Sequence, residues 1–141
     1  MSPISLKAFA NSVAALERAL QLYEAHRGGE LRVMARNSVI LEFEICYGQC
    51  RPALQRCLEE FDGTPSQSLD EMSYASLIRT ANERGYSETP WAEWKAFRDA
   101  RNTTAHAYSE PAAEEILLQI PKFLITARDM LSRMMRKQAE R

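Results

Sequence analysis

The stretch SLKAFANSVAALERALQLYEAHRGG, residues 5–29, sets Leu6, Phe9, Val13, Leu16, Leu20 and Tyr23 at alternating steps of three and four. At about 3.6 residues per turn these side chains form one stripe, so the segment reads as an amphipathic helix, capped by Ser5 and stopped by Gly28-Gly29. A helix with a single apolar stripe must bury it against other elements, and this stretch therefore asks for helical neighbours.

The neighbours are legible downstream. Leu31 to Phe61 is dense in Leu, Val, Ile, Phe and Tyr and has few turn signals. About 30 residues of helix span about 45 Å, with kinks expected at Gly48 and Pro52. Asp62-Gly63-Thr64-Pro65-Ser66-Gln67-Ser68 reads as a loop joining two halves of one domain. A short helix is expected from about Ser73 to Arg84, ending at Gly85. Another starts where Thr89 can cap and Pro90 can take the first helical position, with Trp91, Trp94 and Phe97 on its apolar face. The last helix begins near Ser109-Glu110-Pro111 and runs through Ala113, Leu117, Ile120, Leu124, Ala127, Leu131 and Met134, bending at Pro121 and ending in a frayed basic tail.

No stretch alternates with the two-residue period of an amphipathic strand. Short connections between long helices predict an all-α, antiparallel up-and-down bundle of four main helices plus a short one, with residues 1–141 as a single domain. A chain of 141 residues, 45% of them hydrophobic, is long enough for one such core.

Composition narrows the function. A net charge of −1 and a pI near 6.2 argue against coating nucleic acid by bulk electrostatics, so any RNA contact must be local. Apolar runs are only a few residues long, and MSPISLKAFANS lacks the basic and apolar segments of a signal peptide. A cytoplasmic protein without membrane spans is expected. Cys46, Cys50 and Cys57 recur on one helical face without CxxC spacing or a nearby histidine. They read as buried reduced thiols rather than metal ligands.

Of the two histidines, His26 lies in the last turn of the first helix and suits a structural role there. His106 lies in Arg101-Asn102-Thr103-Thr104-Ala105-His106-Ala107-Tyr108, a polar segment between two apolar-faced helices. Five helical steps rotate about 500°, so Arg101 and His106 would miss a common face by about 140° in a continuous helix. Either the helix ends between them, which the mediocre helix formers Thr103 and Thr104 favour, or each meets its counterpart from a second subunit. On residue types alone, a solvated helix end fits the segment as well as a catalytic pair does.

Arg101-Asn102-x3-His106 followed by Tyr108 resembles the Arg-x4-6-His motif of HEPN ribonucleases, in the Arg-x4-His-x-Tyr form of toxins from HEPN/MNT toxin–antitoxin pairs. Members of this family are also called nucleotidyltransferase substrate-binding proteins. The likeness extends to the Leu-rich first helix, Val39-Ile40-x2-Phe43-Glu44, Leu54-x3-Leu58-Glu59 and Ala112-x2-Glu115-Ile116. Gly48, Pro52 and Arg51 depart from it, the last standing where an aromatic is usual.

The resemblance implies a HEPN-like fold and a metal-independent endoribonuclease without cofactor, acting as a homodimer whose two motifs face each other. His106 would take the proton of the RNA 2′-hydroxyl, Arg101 would neutralise the phosphoryl oxygens, and Asn102 would donate a hydrogen bond or orient His106. It also implies that a minimal nucleotidyltransferase antitoxin adenylylates Tyr108 and silences the site. Two alternatives stay open: a non-catalytic subunit presenting a nucleotide or other substrate to a separate nucleotidyltransferase, and a helical interaction module without ligand.

Overall fold

The computed structural model describes residues 5–141, so any structure of the first four residues, where the signal-peptide expectation begins, lies outside the described part. Its elements are α1 (Lys7–Ala25), α2 (Arg32–Asp62), α3 (Ser66–Glu71), α4 (Tyr74–Glu83), α5 (Trp91–Asn102), a 3₁₀ turn (Thr104–His106) and α6 (Glu110–Ala139). The helical bundle expected from the sequence is the observed fold. One short helix, α3, occupies part of the stretch expected as loop.

The helix ends show local chemistry at work. Gly63, in the left-handed conformation at φ 68°, closes α2, and the Thr64 N–H reaches back to the Leu58 carbonyl. Ser73 and Ser109 cap α4 and α6 by accepting from the amides of Ser76 and Ala112. Two expected caps differ. Leu6 is the residue at the N-cap of α1, and Ser5 accepts from the Lys7 amide beside it. Pro90 holds the N-cap of α5, because the Thr89 hydroxyl is drawn to Thr126 on α6, 3.0 Å away. Helix α1 ends at Ala25, before the glycines, with His26 as its C-cap. Both α2 and α6 run through their internal prolines as single helices.

Ion pairs at both ends align α2 with α6. Arg32–Glu114 (2.6 Å) and Arg36–Glu110 (2.7 Å) join their starts, and Lys137–Asp62 (3.9 Å) joins their ends, so the two run parallel. Helix α1 returns against both, with Glu17 paired to Arg128 at 3.2 Å. Helix α5 runs opposite to α6, since Thr89 at its start meets Thr126 well along α6. That is up-and-down packing of α1, α2, α5 and α6.

The core is an aromatic cluster. Phe123 of α6 lies edge-on to Phe43 (5.1 Å), Phe97 (5.4 Å) and Trp94 (6.2 Å), the arrangement that ring quadrupoles favour. Trp94 and Phe97 are therefore core, whereas Trp91 is only partly buried against it. The C-terminal end of α6 is anchored rather than frayed. Met130 and Met134 are buried, the Lys137 ammonium lies 4.1 Å from the Tyr86 ring centroid, and the Tyr86 hydroxyl donates to Asp62.

Cys46, Cys50 and Cys57 are unpaired and have no exposed surface. Burial pushes their thiols up, to about 11 for Cys46 and about 12 for Cys57, so the reactive thiolate is suppressed at neutral pH. Native protein should therefore resist a thiol reagent such as iodoacetamide, and unfolded protein should take up one label per cysteine by mass. Fast native labelling at any of the three would show that α2 opens locally.

Candidate functional site

Helix α5 ends inside the polar segment. The Thr103 hydroxyl donates to the Ala100 carbonyl at 2.8 Å, and the Thr103 amide reaches the carbonyls of Asp99 and Ala100. Side-chain hydroxyls that satisfy the last carbonyls in this way compete with continued helix. The Thr104 hydroxyl lies 2.8 Å from the Arg101 carbonyl and also within reach of the Glu44 carboxylate on α2. Carrying one proton, it can donate to only one of them at a time.

Beyond this break the 3₁₀ turn carries His106, whose amide donates to the Thr103 carbonyl at 2.9 Å. Ser109 then starts α6. Glu110, one residue on, faces the buried Arg36 at 2.7 Å and Arg32 at 3.8 Å. Neither Nη1 nor Nε of Arg36 has a well-aligned acceptor, so the contact is an ion pair more than a directed hydrogen bond. Arg36, with a smaller contribution from Arg32, holds the Glu110 carboxyl below its usual range. An acid in the first turn also suits the positive end of the helix dipole. The loop is thus tied at Thr104 upstream and at Glu110 downstream.

Between these ties the functional candidates face solvent. Asn102 and His106 are exposed, Arg101 is half-buried, and Tyr108 is 85% exposed. The His106 and Tyr108 rings approach edge-to-face at 6.3 Å and 72°. Among the described residues, no hydrogen bond or ion pair joins Arg101 or Asn102 to His106, and the Arg101 guanidinium has no carboxylate partner. The structure therefore brings His106 to Tyr108, while Arg101 and Asn102 stay on the end of α5.

Three contributors were not found from the sequence: Glu44, Arg36 and Glu110. Glu44 meets Thr104 across 60 residues, and nothing local to either residue signals the pairing. Glu110 carried a cue as an acid at a helix start, but its partner did not. Among the described residues no group of His, Cys, Asp and Glu is arranged to hold a metal ion. No described helix is long and apolar enough to cross a membrane.

Fold and loop together define a helical-bundle protein that presents an Arg-Asn-x3-His-x-Tyr segment just before its last helix. The chain belongs to the HEPN-type family described as nucleotidyltransferase substrate binding protein like, whose model matches residues 4–136. It is 27% identical over 95 residues to a Haemophilus influenzae protein named "Probable ribonuclease HepT", a match covering 67% of this chain and 64% of that protein. The chain thus matches somewhat under two thirds of that relative's length. A solved Haemophilus influenzae structure, described as the fold of a substrate binding domain of a nucleotidyltransferase, superposes with a TM-score of 0.81. It covers 92% of this chain and 98% of that one, at 21% identity, a likeness of fold.

Proposed function

We propose that this protein is a metal-independent endoribonuclease, the toxin of a HEPN/MNT pair, with Arg101, Asn102 and His106 as its catalytic residues. The observation that carries this reading is the helix break at Thr103–Thr104. It leaves the Arg101 guanidinium, which has no ion pair among the described residues, at the end of α5 on one side, and on the other an exposed imidazole on a loop tied at Thr104 and Glu110. In this mechanism His106 removes the proton from the 2′-hydroxyl, which attacks the adjacent phosphorus and expels the 5′-oxygen of the next nucleotide, and that oxygen takes up a proton from water. The products are a 2′,3′-cyclic phosphate and a 5′-hydroxyl end. Arg101 neutralises charge on the non-bridging oxygens. A homodimer with facing motifs would enclose the loop, which is open to solvent in the single chain. The name of the Haemophilus ribonuclease supports this reading, and the cytoplasm is where its RNA would be met.

The test is direct. Purified protein should cut single-stranded RNA in excess EDTA and leave DNA of the same sequence whole. Cleavage that stops with EDTA, or that spares neither polymer, would overturn the mechanism. Sound protein that cuts no RNA would favour the non-catalytic substrate-binding subunit suggested by the family's description.

Tyr108 is the proposed control point. Its ring leans against His106 while its hydroxyl is open to a modifying enzyme, so an adenylyl group there would bring bulk and negative charge beside the imidazole. With a partner nucleotidyltransferase and ATP, mass spectrometry should find adenylyl groups on Tyr108 as cleavage falls. Tyr108→Phe should fold and cut as the parent does and should escape silencing. Full, ATP-independent inhibition of Tyr108→Phe would instead mean that the partner blocks the site physically.

A further inference from the structure

Arginines and partly exposed aromatic rings meet where Tyr74, the first residue of α4, lies in the seam between α2 and α5, whose last turn carries Arg101. The Arg98 guanidinium carbon lies 5.2 Å from the Trp91 ring centroid, and that of Arg51 lies 5.5 Å from the Tyr74 ring centroid. The Tyr74 ring is 6.0 Å from Trp91 and stacks at 5.8 Å and 15° on Tyr47, which is buried in the seam. Burial pushes the Tyr47 hydroxyl up, and the nearby charges of Arg98 and Arg101 offset only a small part of that rise. Trp91 and Arg98 share one side of α5, because seven steps return to within about 20° of the same direction, and Arg101 lies about 60° further round the helix. Arg101 to Trp91 covers about 15 Å of helix.

The charge in this seam is only loosely matched by carboxylates. Arg27, Arg32, Arg36, Arg128 and Arg133 each lie within 3.2 Å of an acidic oxygen. Arg51 donates only to the Met72 carbonyl, Arg98 approaches Asp99 no closer than 4.0 Å, and Arg101 has no ion pair among the described residues. A guanidinium laid on a ring is held in place while its N–H edge stays available to phosphate, and its plane suits an unstacked base.

We propose that the α2–α5 seam is a track for single-stranded RNA, in which Arg51, Arg98, Trp91 and Tyr74 hold the nucleotides flanking the one presented to His106. The track rests on the ribonuclease reading for its ligand and extends it by naming the strand's path and the groups that grip it. It also reconciles RNA binding with a net charge of −1, since the contact is confined to one seam.

Binding and cleavage can be separated by titrating a short fluorescent single-stranded RNA into His106→Ala protein at several salt concentrations. Arg51→Ala and Arg98→Ala should each weaken binding several-fold and reduce the log–log salt slope by about 0.7. Trp91→Leu should cost about tenfold. Arg98→Lys should keep the salt slope yet bind more weakly, because it retains charge and loses the flat stacking group. Arg128→Ala, on the α1 side of α6, should bind as the parent does. Circular dichroism confirms folding, and Arg98→Glu, a surface change, replaces Trp91→Leu if that variant misfolds. Unchanged affinity and slope in the Arg51 and Arg98 variants would overturn the track, even if wild-type protein cleaves RNA. Track-dependent binding by a protein that never cleaves would keep the track and overturn the ribonuclease reading.

Discussion

Purified His106→Ala protein is expected to fold as the parent does and to cleave RNA about 10²–10⁴-fold more slowly, the range that positioned general acid–base catalysis contributes. The imidazole is exposed, and the His106 backbone supplies the local bonds: its amide donates to Thr103 and its carbonyl accepts from Ser109. Alanine keeps both, so the melting temperature should shift little. Arg101→Ala should lose about 10²–10³-fold, the scale of removing one preorganised charge-stabilising group. Its stability cost should be about 0.3–1 kcal/mol, since the guanidinium has no ion pair among the described residues and mainly complements the carbonyl end of α5. The measurements are gel-resolved cleavage rates beside thermal melts. Parent-like rates in both variants would remove the loop from the mechanism, whereas loss of rate together with a large drop in melting would point to a structural role.

The opposite pattern is expected from Phe123→Ala. Phe123 is fully buried, and its ring touches Phe43, Tyr47, Trp94 and Phe97, which joins α2, α5 and α6 at one point. Truncation removes the burial of a ring and leaves a cavity walled by stiff aromatics that cannot collapse into it. A loss of about 3–5 kcal/mol follows, a large share of the roughly 5–15 kcal/mol that holds a domain together. Urea unfolding should show the midpoint falling with little change in slope. Phe123→Leu should recover much of the loss. A cost under about 1 kcal/mol for Phe123→Ala would mean that the cluster repacks and that the aromatic centre does not hold the bundle.

Legibility in the sequence followed the range of the interactions. The α1 stripe, the helix starts near Ser73 and Ser109 and, as one of two alternatives, the helix break after Asn102 could be read, because each rests on residues within a turn or two. Helix α3 could not: six residues carry no periodic stripe, and the segment is held by Leu69, which buries almost fully. Thr89 failed as a cap for a similar reason. Its hydroxyl had a choice between its own helix and Thr126 on α6, and the distant partner won.

The candidate site divides along the same line. Arg101, Asn102, His106 and Tyr108 were legible as residue types at a recognisable spacing, and the threonines between them favoured a broken helix as one of two alternatives. Their supports were not. That Glu44 holds Thr104, that a buried Arg36 faces Glu110, and that Arg51 of α2 lies on the Tyr74 ring of α4 depends on how α2, α4, α5 and α6 are set against each other. The sequence by itself determined the helices and the chemistry carried on the loop, because periodicity, capping and helix breaking act between neighbours along the chain. Only the tertiary structure decided which charges pair, which arginine is buried and which remain open to a ligand. A charge in the sequence has many possible partners, and packing brings one of them within reach.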